Sequence, residues 1–245
     1  MPFFKKKKGS KPEKIKTPKQ VGQAEDQSNK TIDAMENEVQ SVSKTIKNLK
    51  KLRKTVAVMM LGALVLKKAD GKAFGYLKEV YSATDKMVSD LSAGNSNNNK
   101  MSKMMKIMKS KAKDMAKQKA LGGKASAINF MMRKNDELQK TSSKMVTTLS
   151  KTRDNINVLE KKIDAAIMRM ENIKRDSPQL TDVVNLIVKE LKKLKQHKAV
   201  QAGKKASQVF ERNTLKHAKK LDSKLSQSGR ALDYHLKETG DGILV

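Results

Sequence analysis

No proline occurs between Pro18 and Pro178, and this long gap constrains the fold more than any other feature of the sequence. Proline removes a backbone donor and clashes with the preceding helical turn, so helices of any length avoid it. The gap is rich in Lys, Ala, Met and Leu, which are good helix formers. The sequence therefore predicts an all-α protein with long helices.

Apolar residues recur at alternating steps of three and four residues, which is the heptad pattern of a coiled coil. The first series comprises Ile32, Met35, Val39, Val42, Ile46 and Leu49. It resumes at Leu52 after an extra three-residue step and continues to Leu91. We therefore predict a first helix over residues 23–92. The Ala-Gly-Asn-Ser-Asn-Asn-Asn stretch of residues 93–99 has the composition of a turn.

A second series begins at Met101, Met105 and Met108, with Gly122-Gly123 as a potential kink. The reversal into a third helix has two candidate positions. Residues 151–155 contain Asp and Asn, which suit a helix start, whereas residues 175–178 contain Pro178, which suits a first turn. Either choice predicts an elongated antiparallel coiled coil of three helices.

Charge narrows the range of functions. The chain has 245 residues and a formal net charge of +29, and 47 of its 54 basic residues are Lys. Lysine acts as a flexible point charge, so this excess favours a broad polyanionic partner.

The absence of Cys excludes disulfides, thiolate metal sites and a cysteine nucleophile. Apolar residues make up only 37%, which suits narrow helical seams better than a thick core.

The first 20 residues form a separate basic segment, predicted to be flexible because it has little to bury. It carries Phe3 and Phe4, followed by Lys5, Lys6, Lys7, Lys8 and Lys11. No apolar signal-peptide core follows, and the longest apolar run, residues 56–66, is too short to span a bilayer. The helical domain is expected over residues 21–237, with a flexible tail over residues 238–245.

The segment of residues 56–66 is apolar on all sides, which predicts burial on all sides. A three-helix monomer does not cover such a segment, but a homodimer would. The predicted dimer interface consists of Val56, Met59, Met60, Ala63 and Leu66.

A lysine stripe follows the Met-rich face of the second helix. Its members are Lys100, Lys103, Lys106, Lys109, Lys113 and Lys117. The stripe is predicted to contact the polyanionic partner, and it would face the membrane if that partner is an anionic leaflet, to which lysines are attracted.

Three sequence features resemble the BAR domain family, in particular the N-BAR type of amphiphysin and endophilin. A basic leader runs into Val21-Gly22-Gln23-Ala24-Glu25 and then Met35-Glu36-Asn37-Glu38-Val39, similar to endophilin-like chains. The segment Leu77-Lys78-Glu79-Val80-Tyr81 resembles the end of the first helix in amphiphysin-like chains. The order of leader, long helix, polar loop and further helices also matches. The second helix departs from the family because its aromatic residues are missing.

This resemblance implies a crescent-shaped antiparallel homodimer with a six-helix bundle at its centre. Such a dimer would bind anionic phospholipid membranes and sense or generate their curvature in trafficking processes such as endocytosis. Its location would be cytoplasmic and peripheral to the membrane. The family's membrane-facing positions map onto Arg133, Lys134, Lys151 and Arg153. The leader would insert either as an amphipathic helix or as an unstructured anchor with Phe3 and Phe4 at its tip.

Two other functions remain as alternatives. A pI near 10.1 also fits a nucleic-acid-binding coiled coil, although single-strand platforms need aromatic residues that are scarce here. An ESCRT-type membrane-remodelling filament is also helical, but its second half is usually acidic, whereas residues 179–245 are basic. His197, His217 and His235 lack metal-ligand spacing, so we expect no enzyme activity, metal or cofactor.

Overall fold

A computed structural model of the chain describes residues 17–118 and 121–238. These ranges are helical almost throughout and contain no strand, so the all-α prediction is confirmed. The helices are α1 (Thr17–Gly62), α2 (Leu64–Ala69), α3 (Gly71–Lys117), α4 (Leu121–Asp176), α5 (Thr181–Gln196), α6 (Lys198–Phe210) and α7 (Lys216–Glu238). A 3-10 turn, Pro178–Leu180, precedes α5, and a π-helical turn, Glu211–Leu215, joins α6 to α7.

The helices form four antiparallel segments rather than three. Helix α1 packs on α3, α3 on α4, and α4 on the α5–α7 segment, which also returns to α1. Within the described ranges, the backbones of α1 and α4 do not approach each other closely, and neither do those of α3 and α5–α7, so these two pairs lie on the diagonals. The 46 residues of α1 extend for about 69 Å. The prediction of a three-helix coiled coil was therefore wrong in its number of segments.

The first helix was predicted to continue to residue 92, but the chain reverses at residues 63–70. Asp70 has an extended backbone and caps α3 by accepting hydrogen bonds from the N–H groups of Lys72 (2.9 Å) and Ala73 (3.0 Å). Its carboxylate also pairs with Arg169 of α4. Burial alone raises the pKa of Asp70, but the hydrogen bonds from Ala73, Arg169 and Lys72 outweigh it, so the pKa lies below its usual value. Asp70 is thus a helix cap, not a residue of a continuous seam.

The predicted loop of residues 93–99 was also wrong, because these residues lie in the middle of α3. Gly94 is buried against α4, where a Cβ atom would lie 2.7 Å from Thr148 Cγ2. Asn98 is buried against α1 and donates from Nδ2 to the Val39 carbonyl (3.3 Å) and to the Ser43 hydroxyl. Gly94 and Asn98 are therefore accommodated within α3 because each packs closely on a neighbouring helix, Gly94 on α4 and Asn98 on α1.

Of the other two reversals, one lies next to a predicted kink and the other lies at a candidate position for a reversal. Helix α3 ends at Lys117 and α4 begins at Leu121, so the chain turns just before Gly122-Gly123 instead of kinking there. Helix α4 ends at Asp176, and Pro178 starts the following turn, which confirms the candidate at residues 175–178. The alternative at residues 151–155 is regular helix within α4.

The fourth segment is interrupted and packs through smaller side chains. His197 has an extended backbone and caps α6 by accepting a hydrogen bond at Nδ1 from the Ala199 N–H (3.1 Å). Gly203 faces Ile156 and Leu49, whose side chains would crowd any Cβ atom there. Beside the π-helical turn, the buried Asn135 of α4 donates from Nδ2 to the Ala218 carbonyl (2.9 Å).

The limits of the helical region differ from the predicted limits by a few residues. Helix α1 begins at Thr17, inside the segment predicted to be flexible, because the fixed φ of Pro18 suits the first helical turn. The remainder of that segment, residues 1–16, and the tail beyond Glu238 lie outside the described residues. The homodimer and its crescent shape stay predictions.

Candidate functional site

The outward face of α1 carries a row of exposed side chains that changes from basic to aliphatic along the helix. Its basic part, which we call the basic stripe, consists of Lys44, Lys47, Lys51 and Lys54. The same three- and four-residue spacing then leads to Val58 and Leu61, so all six side chains share one face. Helix α1 presents this face outward because Val42, Ile46 and Leu49 are buried on the opposite side.

The basic stripe has no internal counter-charge. None of its four lysines forms an ion pair with any residue in the described part of the chain. The carboxylate of Asp85 on α3, which reaches this part of α1, is already engaged by Arg53 (2.6 Å). Between Glu38 and Asp70 the sequence contains no acidic residue at all. The stripe is therefore available to an external anion.

The aliphatic end of the row forms an exposed patch at the end of the bundle where α1 gives way to α3. This apolar patch comprises Val58 (68% exposed), Leu61 (68%), Leu64 (48%) and Val65 (57%). The core takes up Val56, Ala63 and Leu66 from the same segment and leaves these four in solvent. Clustered apolar exposure of this kind marks a binding surface more often than scattered single residues do.

A groove lies beside the patch, between α1 and α5. Val58, Met59 and Gly62 form its α1 wall, and Val183 and Leu186 belong to its α5 wall. Its volume is about 600 Å³. It exists because α5 packs on α4 and makes only slight contact with α1, whereas α6 and α7 pack against both helices. The 62% exposure of Leu186 continues the apolar surface across the groove.

The predicted dimer-interface residues are divided between core and surface. Val56, Ala63 and Leu66 are fully buried in the core of their own subunit, and Met59 and Met60 are partly buried against it. The burial of this segment on all sides, which was assigned to a homodimer, stays a prediction, because within a single chain one side faces solvent. The physical reason is the reversal at Asp70, which returns α3 along one side of α1 only.

The predicted lysine stripe of α3 does not form a single line. Lys100, Lys103, Lys106, Lys113 and Lys117 are exposed, but they spread over a wide outward face. Lys109 instead turns toward α1 and pairs with Asp33 and Glu36. The hydrogen bond to Asp33, assisted by Glu36, holds the pKa of Lys109 above its usual value.

The four positions taken from the BAR resemblance lie on α4, diagonally opposite α1. Arg133 and Lys151 are exposed. Lys134 pairs with Glu137 (2.9 Å) and so lowers the pKa of that carboxyl, while Arg153 lies 3.4 Å from Asp154. The structure therefore does not bring these four residues onto the same face as the basic stripe. Phe3, Phe4, Lys5, Lys6, Lys7, Lys8 and Lys11 lie outside the described residues.

The basic stripe was missed in the sequence, although a signal for it was present. Six basic residues occur between Lys44 and Lys54 without an acid, and four of them have outward heptad spacing. The apolar patch could not be separated from the core in the same way, because buried and exposed aliphatic residues alternate there.

No helix within the described ranges is both long and apolar enough to cross a bilayer. Among the described side chains, His, Asp and Glu do not gather in groups of three that could hold a metal ion. Searched against protein-family models, curated proteins and solved structures, the chain matches none.

Proposed function

We propose that the protein binds anionic membranes peripherally, through the outward face of α1. One observation carries the proposal: four lysines without ion-pair partners among the described residues lead directly into the exposed Val58 and Leu61 on the same helix face. An anionic bilayer presents phosphates above a hydrocarbon layer, and an amphipathic helical face of this kind complements both. In this arrangement the basic stripe meets the headgroups and the apolar patch enters the boundary below them.

The two parts of the surface contribute energies of similar size. Each lysine near an anionic leaflet contributes about 1 kcal/mol, or roughly 4 kcal/mol for the basic stripe. Val58 and Leu61 are both 68% exposed, so burying what remains of each would contribute roughly 1–2 kcal/mol. Because only the lysine contribution is screened by salt, binding should weaken with ionic strength without disappearing.

The structure gives this surface a rigid support. The buried face of α1 packs in the same core as the three other segments of the bundle, so the stripe is held in line. The prediction of curvature sensing depended on a three-helix crescent dimer, whereas the chain forms four antiparallel segments. The proposal therefore keeps membrane binding and leaves curvature sensing, homodimer formation and the cytoplasmic location as predictions.

Nucleic acid is a poorer partner for the same surface. A phosphate backbone would neutralise the lysines by releasing counterions, but it would leave Val58 and Leu61 in water. Among the described residues, Tyr81 lines a surface depression together with Lys54, but one partly buried ring gives little surface on which successive bases could stack.

The proposal is tested by two variants with the same change in charge. In the first, Lys44, Lys47, Lys51 and Lys54 are replaced by Gln. In the second, the matched control, Lys100, Lys103, Lys106 and Lys113 are replaced by Gln. Co-sedimentation with vesicles of 30% phosphatidylserine at low salt should show a loss of roughly 100-fold or more for the first variant. The control should bind nearly as the unmodified chain does, and circular dichroism should show equal helicity.

The outcomes separate the possible sources of affinity. Equal losses in both variants would show that net charge alone drives binding, and unchanged binding in both would assign it to another part of the chain. Either result contradicts the proposal. A third variant, Val58→Ser with Leu61→Ser, should lose binding to vesicles at 0.5 M salt but retain its binding to DNA at low salt. If this variant lost its binding to vesicles and its binding to DNA equally, the role of the apolar patch would be contradicted.

A further inference from the structure

The groove between α1 and α5 has the character of a ligand site. Binding pockets for small molecules are concave, measure about 300–1,000 Å³, and are mostly apolar with a few placed polar groups. The groove measures about 600 Å³, and its walls are mainly aliphatic. Val58 and Met59 face Val183 and Leu186 across it, so a narrow apolar molecule would contact both helices.

The groove is open because no side chain fills it at the end of α1. Gly62 belongs to its lining, and a Cβ atom built there would meet nothing within 4 Å. Since α5 makes only slight contact with α1, the packing that closes the bundle at α6 and α7 is missing at this level. The core below remains complete, because Val56 and Leu194 are buried at the base of the groove.

The charges at the groove favour an anion at one position. Lys54, the last lysine of the basic stripe, and Glu190 both line it. The Glu190 carboxylate is engaged by Lys193 at 2.6 Å, whereas Lys54 has no ion-pair partner among the described residues. An elongated apolar ligand with one anionic end would therefore match the groove, with its charged end at Lys54.

We propose that the groove holds one acyl chain of an anionic membrane lipid, with the lipid phosphate at Lys54. This inference rests on the proposed function, because the bilayer bound by α1 is the source of the lipid. The groove borders the apolar patch, so a chain can pass from the bilayer surface into it without crossing a polar barrier. Bound in this way, a single lipid would fix the position of α1 on the membrane.

Native methionines allow the groove to be observed without a reporter substitution. Met59 lines it, while Met168 is 69% exposed on the outward face of α4 and serves as the internal control. The full chain is labelled with ¹³C at its methionine methyl groups, and the Met59 signal is assigned with Met59→Leu. Dodecyl phosphate is then added below its micelle concentration. We expect a saturable shift of the Met59 signal at one molecule per chain, with Met168 unchanged.

Two substitutions test the placement of the ligand. Gly62→Leu fills the groove where space is free and should remove the Met59 response. Lys54→Gln should weaken binding about fivefold, since one lysine contributes about 1 kcal/mol toward an anionic headgroup. A Met59 response that persists unchanged in Gly62→Leu, or equal responses at Met59 and Met168, would overturn the proposal. So would a Met59 shift that depends on protein concentration alone, because a second copy of the chain would then occupy the groove.

The inference and the proposed function fail in different ways. Gly62→Leu keeps all four lysines of the basic stripe, so it should still sediment with anionic vesicles at low salt. If the unmodified chain ignores such vesicles but Met59 responds to dodecyl phosphate, the proposed function is wrong and the groove remains a lipid site. If vesicle binding is present and the Met59 response is absent, only the groove inference is overturned.

Discussion

Gly94 provides the sharpest test of the four-segment architecture, because it places α3 directly against α4. A Cβ atom on Gly94 would lie 2.7 Å from Cγ2 of Thr148, which is closer than side chains tolerate. Thr148 cannot rotate away easily, because its χ1 is restricted by branching and its hydroxyl donates to the Lys144 carbonyl (3.1 Å). Gly94→Ala therefore forces either a strained threonine or a separation of the two helices.

Two opposing energies determine the result. Overpacking of a tight contact costs about 1–3 kcal/mol, whereas Ala is favoured over Gly in a helix interior by about 1 kcal/mol. Gly94→Ala should thus lower the free energy of unfolding by about 1 kcal/mol. Thr148→Ser removes Cγ2 and keeps the hydroxyl, so in that background the same Gly94→Ala change should raise the free energy of unfolding by about 1 kcal/mol.

The assay is a double-mutant cycle in urea, followed by circular dichroism at 222 nm. The interaction energy between the two sites should be about 1–3 kcal/mol. Gly75→Ala is the control on the same helix, because a Cβ there meets nothing within 4 Å, and it should stabilise the chain with or without Thr148. An interaction energy near zero between Gly94 and Thr148 would refute the reasoning, since it would mean that residues 93–99 do not pack on α4 as a helix.

Two further predictions concern polar groups in the bundle. Asp70→Asn keeps a capping oxygen for Lys72 and Ala73 but removes the charged partner of Arg169, so it should cost about 1–2 kcal/mol, or roughly 2–8 °C in melting temperature. Asp85 is the matched control because its ion pair with Arg53 is more exposed than that of Asp70 with Arg169, and Asp85→Asn should cost well under 1 kcal/mol. The pKa of Asp70 is lower in the folded chain than in the unfolded one. Its contribution is therefore complete above about pH 5 and is lost as the pH falls through the folded pKa. The Asn variant should then lose less stability than the unmodified chain between pH 5 and pH 3, and equal acid sensitivity would contradict this role. Asn98→Leu combined with Ser43→Ala replaces a buried amide, whose Oδ1 has no partner among the described residues, by apolar contact. It should raise the free energy of unfolding by about 1 kcal/mol in the same urea assay, and a loss would show that the buried amide is net stabilising.

The missed reversal and the false loop have a common physical cause. Leu66 and Ala73 are seven residues apart, so the heptad phase continues unchanged through the reversal at Asp70. The phase also continues from Leu91 to Met101, with Gly94 and Asn98 at the intervening seam positions. An apolar pattern records which face of a helix is buried, but it does not record where the chain turns or which helix covers that face.

The candidate site was predictable only in part. The acid-free run of lysines on α1 and its outward spacing can be read from the sequence, because helical periodicity fixes which side chains share a face. The exposure of Val58 and Leu61 cannot be read in this way, since Val56 and Ala63 in the same run are buried. Only the positions of α3 and α5 decide which aliphatic residues are covered.

The sequence by itself determined the helical class, the heptad seams and the strong positive charge, because these depend on local propensity and spacing. It also marked Pro178 as one of two candidate positions for a reversal, because a residue with fixed φ acts locally, and the structure has the turn there. The number of segments, the course of the chain through residues 93–99 and the open groove beside α5 were decided by tertiary structure. Each of these depends on contacts between residues far apart in the chain, and those contacts overrode the local preferences of Gly94, Asn98 and the segment around Asp70.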